Sequence, residues 1–189
     1  DMVERAERFA RAGVAIIAGS IIGFDADGPD IFQRHFEVAM RSPIPIFTMA
    51  ALYAAHATPL RARMEREGRM LDFEGAMINP LTNFQPALMS LEQLDRGMLW
   101  LTDQLYAPEK FSRRLLRMIE LFPEHLPKAG GGERKIEAEA ILAGHAVLVN
   151  EAPAFSEVVR QVLKAVRAKP ATRGAAMYAL LIWAQQRHT

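Results

Sequence analysis

The sequence has no cysteine. Disulfides are excluded, and so is any thiolate-held zinc or iron–sulfur site built from this chain alone. It also lacks an excess of either charge. There are 23 Lys and Arg against 22 Asp and Glu, a formal net charge of +1, and the signs are interspersed. That gives no electrostatic case for nucleic acid or for an anionic membrane. Long apolar runs are missing too. Val14–Ile22 falls well short of the roughly 20 residues of a membrane span, and Ala175–Ala184 reads as a buried helix. No basic segment followed by an apolar core opens the chain, so no signal-peptide pattern is visible. The expectation is a cytoplasmic protein without a membrane span. The first residue is Asp1, inside an amphipathic pattern, which suggests numbering that starts within a longer protein.

Half of the 189 residues are apolar, enough for a sizeable core. The first third alternates helix and strand signals. Met2–Ala12 places Val3, Ala6, Phe9 and Ala10 on one helical face, and Gly13 ends it. Val14–Phe24 is an almost unbroken apolar run, which fits a strand buried on both faces of a parallel sheet. Asp25–Asp30 is a turn opening a helix to about Met40, with Pro29 suited to the first helical position. Ser42-Pro43 breaks that helix. Ile44–Tyr53 is a second strand candidate, and Thr58-Pro59 caps a third helix ending at Gly68. This succession reads as βα units of a parallel sheet or barrel.

Residues 70–89 look irregular. Ser90–Tyr106 is a strong helix in which Ser90 and Gln93 form a capping box. Pro108 opens the next helix. Pro123–Gly132 reads as a linker, and helices follow near Ile136–Val149, Phe155–Ala168 and Ala171–Gln186. The expected fold class is α/β followed by all-α. The expected domains are βα units at 1–69, a connector at 70–89, and a helical domain at 90–189 with its linker near 123–132.

The segment with most to say about chemistry is Gly19-Ser20-Ile21-Ile22-Gly23-Phe24-Asp25-Ala26-Asp27. A buried strand here delivers two glycines and then acids at its C-terminal end, where parallel α/β folds bind ligands. Two readings stay open. The glycines let a ligand approach the backbone, or they allow tight helix packing beside a capping acid.

The run G-S-I-I-G-F-D-A-D-G-P-D-I-F resembles the glycine-rich strand of radical S-adenosylmethionine enzymes. It is most similar to the subgroup with an N-terminal cobalamin-binding domain and a helical C-terminal domain of unknown function. Further similarities follow in the same order. Leu52–Leu60 resembles that subgroup's L-x-A-x-P-G-T-P-L loop, with His56-Ala57 in place of Pro-Gly. Arg66-Glu67-Gly68-Arg69, Thr82–Pro86 (T-N-F-Q-P) and Leu105-Tyr106-Ala107-Pro108, with an arginine-rich helix, come next. The resemblance covers roughly Met2–Phe122. It implies a partial (β/α) barrel end with two parallel strands, then a helical cap. It also implies that Gly19, Ile21 and Gly23 wall the adenosine of S-adenosylmethionine. Phe24, Asp25 and Asp27 would lie at the mouth of that site, and the loop holding Tyr53 and His56 would pass near the adenine.

The same resemblance implies a 4Fe–4S cluster in the intact enzyme, with cobalamin possible. The three cluster cysteines would lie upstream, so this chain alone should not be catalytic, and no catalytic or metal-binding residue is assigned within it. It would be a C-terminal fragment, completed by an upstream barrel half or another chain, or by forming a homo-oligomer. The alternative is a non-catalytic helical interaction module descended from such an enzyme.

Other chemistry finds little support. The five histidines show no zinc-protease spacing, and His145 follows the apolar pattern of its helix. Ser20 has no base placed beside it in sequence. Gly130–Glu133 lacks the strand and Lys-Ser/Thr of a phosphate loop. Lys110, Arg113, Arg114 and Arg117 read as a solvated helix face. The methionines, Trp100 and Trp183 read as packing residues.

Overall fold

The structure, a computed structural model, describes residues 1–72, 81–126 and 153–187. His145, His188, the glycine run at 130–132 and the expected helix at 136–149 lie outside those residues. The described elements are α1 (Met2–Arg11), β1 (Ile17–Ile22), α2 (Ile31–Arg41), β2 (Ile46–Ala51), α3 (Pro59–Arg66), α4 (Leu91–Tyr106) and α5 (Pro108–Leu121), then α6 (Pro153–Ala168), a 3₁₀ turn (Pro170–Thr172) and α7 (Arg173–Arg187). β1 and β2 form a two-stranded parallel sheet, and helices alone follow α3 among the named elements. The fold is mixed α/β and then helical, as the sequence pattern leads one to expect. No helix among the described residues is long and apolar enough to cross a membrane.

The chain divides into two compact units. One comprises Asp1–Ala18, Glu37–Phe47 and the chain from Gln104 onward. Within it, α5 packs against α1, α6 and α7. Its centre is Trp183, fully buried and stacked between Phe111 and Phe155 at centroid distances of 4.7 and 4.6 Å. The indole N–H donates to the Tyr106 carbonyl at 2.8 Å, so the ring is buried with its polar atom satisfied. Tyr106 in turn donates its hydroxyl proton to the Phe47 carbonyl at 2.6 Å and accepts from the Phe47 N–H at 3.2 Å. Helix α1 ends in a Schellman motif. Val14 N–H bonds to the Phe9 carbonyl and Gly13 N–H to the Ala10 carbonyl, both at 2.9 Å. Gly13 sits at φ +80°, a left-handed conformation that favours glycine.

Arg114 belongs to this unit and corrects the reading of α5 as a wholly solvated basic face. Its side chain is buried, with the residue 1 % exposed, whereas Arg113 and Arg117 are exposed. The guanidinium donates to the carbonyls of Leu105 (2.6 Å), Ile44 (3.1 Å), Pro45 (3.2 Å) and Lys110 (3.2 Å), and lies over the Phe47 ring. Burial pulls its pKa down to about 10, so it stays cationic at neutral pH. The same contacts explain why β2 starts at Ile46 rather than Ile44. Pro43 and Pro45 have no N–H for a ladder, and Arg114 has taken the carbonyls of Ile44 and Pro45.

The second unit comprises Gly19–Phe36 and Thr48–Asp103. Here α2 meets α4 at Gly97, where a Cβ would fall 2.1 Å from the Phe32 ring. Phe36 and Trp100 contact edge to face at 5.8 Å. Helix α4 carries the expected capping box. Ser90 N–H donates to the Gln93 side-chain oxygen at 2.8 Å, and Gln93 N–H to Ser90 Oγ at 3.1 Å. Pro29, by contrast, lies in the turn before α2 instead of at its first position. The helix starts at Ile31, whose N–H reaches back to the Gly28 carbonyl at 3.0 Å.

Candidate functional site

Side chains alternate along β1. Ala18, Ser20 and Ile22 are half-buried or buried, while Ile17, Gly19 and Ile21 are exposed. Ile17 and Ile21 are 49 % and 51 % exposed. The expectation of burial on both faces therefore fails within this chain, since one face of the strand is open among the described residues. β2 shows the same phase, with Thr48 and Ala50 exposed. A Cβ on Gly19 would touch only Thr48 Oγ1, at an unstrained 3.8 Å. Packing does not demand glycine at Gly19, and that weakens tight helix packing as its explanation. Gly23 differs. It has φ +113° and closes against Leu52 at the sheet's C-terminal end, where Leu52 N–H donates to the Ile22 carbonyl at 2.7 Å.

The two acids after Gly23 do different jobs. Asp27 accepts the backbone N–H groups of Gly23 (2.9 Å) and Phe24 (3.0 Å), and so fixes the turn at the strand end. Asp25 pairs with Arg63 at 2.8 Å and Arg69 at 2.9 Å. The Arg69 hydrogen bond holds the Asp25 carboxyl below its ordinary range, against the opposing effect of desolvation. Asp25 is thus an ionised acceptor with no proton to give near neutral pH. Phe24 and Tyr53 are exposed aromatic residues at the same strand ends.

Arg69 is the hub of this cluster. It also donates to the Gln85 carbonyl and to Glu67, both at 2.9 Å, and lies 5.6 Å over the Phe84 ring. Burial lowers its pKa, but the bonds to Asp25 and Glu67 outweigh that and the net shift is upward. One of its nitrogens, Nη2, is buried and meets no acceptor among the described residues. Three sequence motifs, F-D-A-D, E-G-R and T-N-F-Q-P, therefore converge on one guanidinium.

The T-N-F-Q-P segment is irregular, as expected, apart from one isolated bridge. Met70 and Phe84 form an antiparallel bridge, flanked by Leu71 N–H to Asn83 carbonyl (3.1 Å) and Gln85 N–H to Arg69 carbonyl (2.8 Å). From that edge Asn83 reaches the loop after β2. Its side-chain oxygen accepts from Ala54 N–H at 2.8 Å and its amide donates to the Ala54 carbonyl at 2.9 Å, as a paired strand would. Thr82 Oγ1 donates to the Leu52 carbonyl at 2.6 Å. Beneath lies a small core of Ala54, Met64 and Phe84. In the sequence Thr82 and Asn83 stand only as part of the T-N-F-Q-P resemblance, with no role assigned to either. The signal was a Thr and an Asn directly before an aromatic residue in a segment with no periodicity of its own.

Tyr53 and His56 project from this loop and are exposed. Among the described residues neither hydrogen-bonds to the Asp25 cluster, so the structure unites the residues of the β1 turn but does not join these two to them. Ala57 has φ +59°, a left-handed conformation that glycine adopts freely. Thr58 caps α3 by accepting from Arg61 N–H at 3.2 Å. The structure does place a base beside Ser20, contrary to the sequence reading. Ser20 Oγ and His35 Nδ1 are 2.7 Å apart, on the helix-covered side of β1. Burial pushes the His35 pKa down. No group of three His, Cys, Asp or Glu among the described residues is placed to hold a metal ion.

Residues 58–183 match the family described as a domain of unknown function, DUF4070. A Synechocystis sp. protein named as an uncharacterized methyltransferase is 32 % identical over 118 residues, which are 61 % of this chain and 22 % of that protein. The hopanoid C-2 methylase of Rhodopseudomonas palustris is 31 % identical over 70 residues, 37 % of this chain and 13 % of that protein. The chain therefore matches under a quarter of the length of these curated relatives. No solved structure matches.

Proposed function

The chain belongs to the DUF4070 family and is distantly homologous to methyltransferases, and from that premise we propose that it is the C-terminal portion of a radical S-adenosylmethionine methyltransferase. In this reading β1 and β2 close a partial (β/α) barrel and the later helices cap the substrate. The observation that carries the proposal is the open face of β1. Gly19 and Ile21 lie on it, next to the turn that Asp27 and Arg69 hold at the strand end.

Those residues fit a nucleoside. Gly19 has no side chain to keep a planar base from the backbone, and the exposed Ile21 offers apolar contact. Gly23, Phe24, Asp25 and Asp27 border it, with Tyr53 and His56 on the neighbouring loop. Bound S-adenosylmethionine would supply the group transferred. The chain's own residues bind and orient it and exclude water from that side. A 4Fe–4S cluster does not fit this chain, which has no cysteine, and no step is routed through one. Cobalamin is assigned to no residue here. The remaining barrel strands, from the same enzyme or another chain, would cover Ile17 and Ile21, which are otherwise left in water.

The test is anaerobic calorimetry with S-adenosylmethionine, on this chain alone and combined with a polypeptide carrying the upstream strands and cluster cysteines. Binding is expected only in the combination. Gly19→Val should fold, because its Cβ meets nothing closer than 3.8 Å, yet weaken binding by about tenfold or more through blocked approach. Absence of binding in the combination would overturn the proposal and leave a helical interaction module as the better account.

A further inference from the structure

A cavity lies in the unit built around α5, and none of the residues discussed for the nucleotide belongs to it. It has a volume of about 650 Å³ and is lined by Met40, Arg41, Ser42, Arg113, Arg114, Leu116, Arg117 and Glu120. Four of those eight residues are arginines and one is an acid. Such an excess on one concave surface is unusual in a chain whose net charge is only +1.

The four guanidinium groups are in different states. Arg114 is buried, and its oxygen partners among the described residues are all neutral carbonyls, so its charge meets no carboxylate there. Its Nη1 also faces Met40 Sδ at 3.5 Å, a poor acceptor that itself lines the cavity. Arg41, at the end of α2, and Arg113, on α5, are exposed and make no ion pair among the described residues. Arg117, one turn beyond Arg113, is held by Glu7 at 3.1 Å and Glu120 at 3.0 Å. A buried cation with only neutral oxygen partners thus sits beside two uncommitted ones, and the fourth is paired with two carboxylates.

We infer that this cavity is an anion site for a phosphate group, with Arg41 and Arg113 as its primary ligands and Arg114 supplying fixed positive potential behind them. Paired guanidinium forks match phosphate oxygens bidentately. Leu116 and the Met40 stem give the rest of the molecule an apolar contact. The volume exceeds what a bare phosphate needs, so the ligand is a phosphate ester, carried either on a soluble small molecule or on a lipid headgroup.

The experiment uses the full 189-residue chain, with pyrophosphate titrated by calorimetry at two salt concentrations and, separately, vesicles of phosphatidylcholine with and without phosphatidic acid in a flotation assay. Binding to pyrophosphate that weakens with salt supports a soluble phosphate ester. Binding only to vesicles with phosphatidic acid supports a headgroup. In either arm Arg41→Gln with Arg113→Gln should weaken binding by about tenfold or more, while Glu120→Gln should strengthen it severalfold. Arg160→Gln, an exposed arginine on α6 paired with Glu157, is the control and should change nothing. No binding in either arm, or equal loss in the control, would overturn the inference. Both outcomes are independent of S-adenosylmethionine binding.

Discussion

Replacing Asn83 by Leu removes the two bonds that stand in for a missing strand at Ala54. Asn83 and Ala54 are buried, at 4 % and 0 % exposure, so water has little access to the groups left behind. The Ala54 N–H now donates to the Asn83 side-chain oxygen at 2.8 Å, and the Ala54 carbonyl accepts from the Asn83 amide at 2.9 Å. Each buried backbone group left without a partner costs about 1–3 kcal/mol, so the substitution should lose about 2–6 kcal/mol of stability. Asn83→Asp makes a sharper comparison. It keeps an acceptor for the N–H but sets a carboxylate oxygen against the Ala54 carbonyl, so it should lose at least half as much. Urea denaturation gives the stability, and amide hydrogen exchange at Ala54 reports the site itself. Thr82→Val, which loses one bond to Leu52, should cost about 1–2 kcal/mol. The reasoning fails if Asn83→Leu costs under about 1 kcal/mol while the Ala54 amide stays protected.

Ala57 lies at φ +59°, so Ala57→Gly should raise stability by about 0.5–1 kcal/mol, the relief of left-handed strain less glycine's greater freedom when unfolded; an unchanged or lower urea midpoint would count against it. Arg114→Ala strips partners from four carbonyls and should cost about 3 kcal/mol or more, whereas the exposed Arg113→Ala should stay within about 0.5 kcal/mol, as paired thermal melts would reveal. Burial depresses the His35 pKa, so the unfolded chain binds more protons once pH drops below about 6.5. Stability should be full above that pH and decline as pH falls toward the folded value. His35→Gln, which can still bond Ser20, should flatten the decline between pH 7.5 and 5 in urea titrations; an unaltered slope would refute the assignment.

The elements legible in the sequence were those with a local cause. Helix α4 announces itself through Ser90 and Gln93, α3 through Thr58-Pro59, and the end of α1 through Gly13, because caps are short-range chemistry. What escaped depended on partners distant in sequence. Arg114 looks solvated in a run with Lys110, Arg113 and Arg117, and only the carbonyls of Ile44 and Pro45, some seventy residues away, account for its burial. Asn83 looks like loop filler until Ala54 is beside it. His35 lies 15 residues from Ser20, and no helical or strand period joins them. The apolar run Val14–Phe24 was read as two buried faces because composition reports what a strand can bury, not what this stretch of chain has available to bury it.

That contrast bears on where chemistry can reside. Asp25 is the carboxylate that the strand-end position singles out, and on position alone it is a candidate acid or base. Its two arginine partners decide otherwise. With Arg63 at 2.8 Å and Arg69 at 2.9 Å, protonating it would give up two ion pairs, so it stays ionised and serves as an anchor. Arg69 extends that anchor to the Gln85 carbonyl, and through the 70–84 bridge to the edge from which Asn83 holds the loop of Tyr53 and His56. The turn after β1 and the loop after β2 are thereby fixed by one connected set of bonds, all of them in the unit that also contains Gly19 and Ile21. A scaffold so tied is suited to presenting a shaped surface rather than to moving protons. The motifs F-D-A-D, E-G-R and T-N-F-Q-P, separated widely in sequence, supply the residues that do the tying.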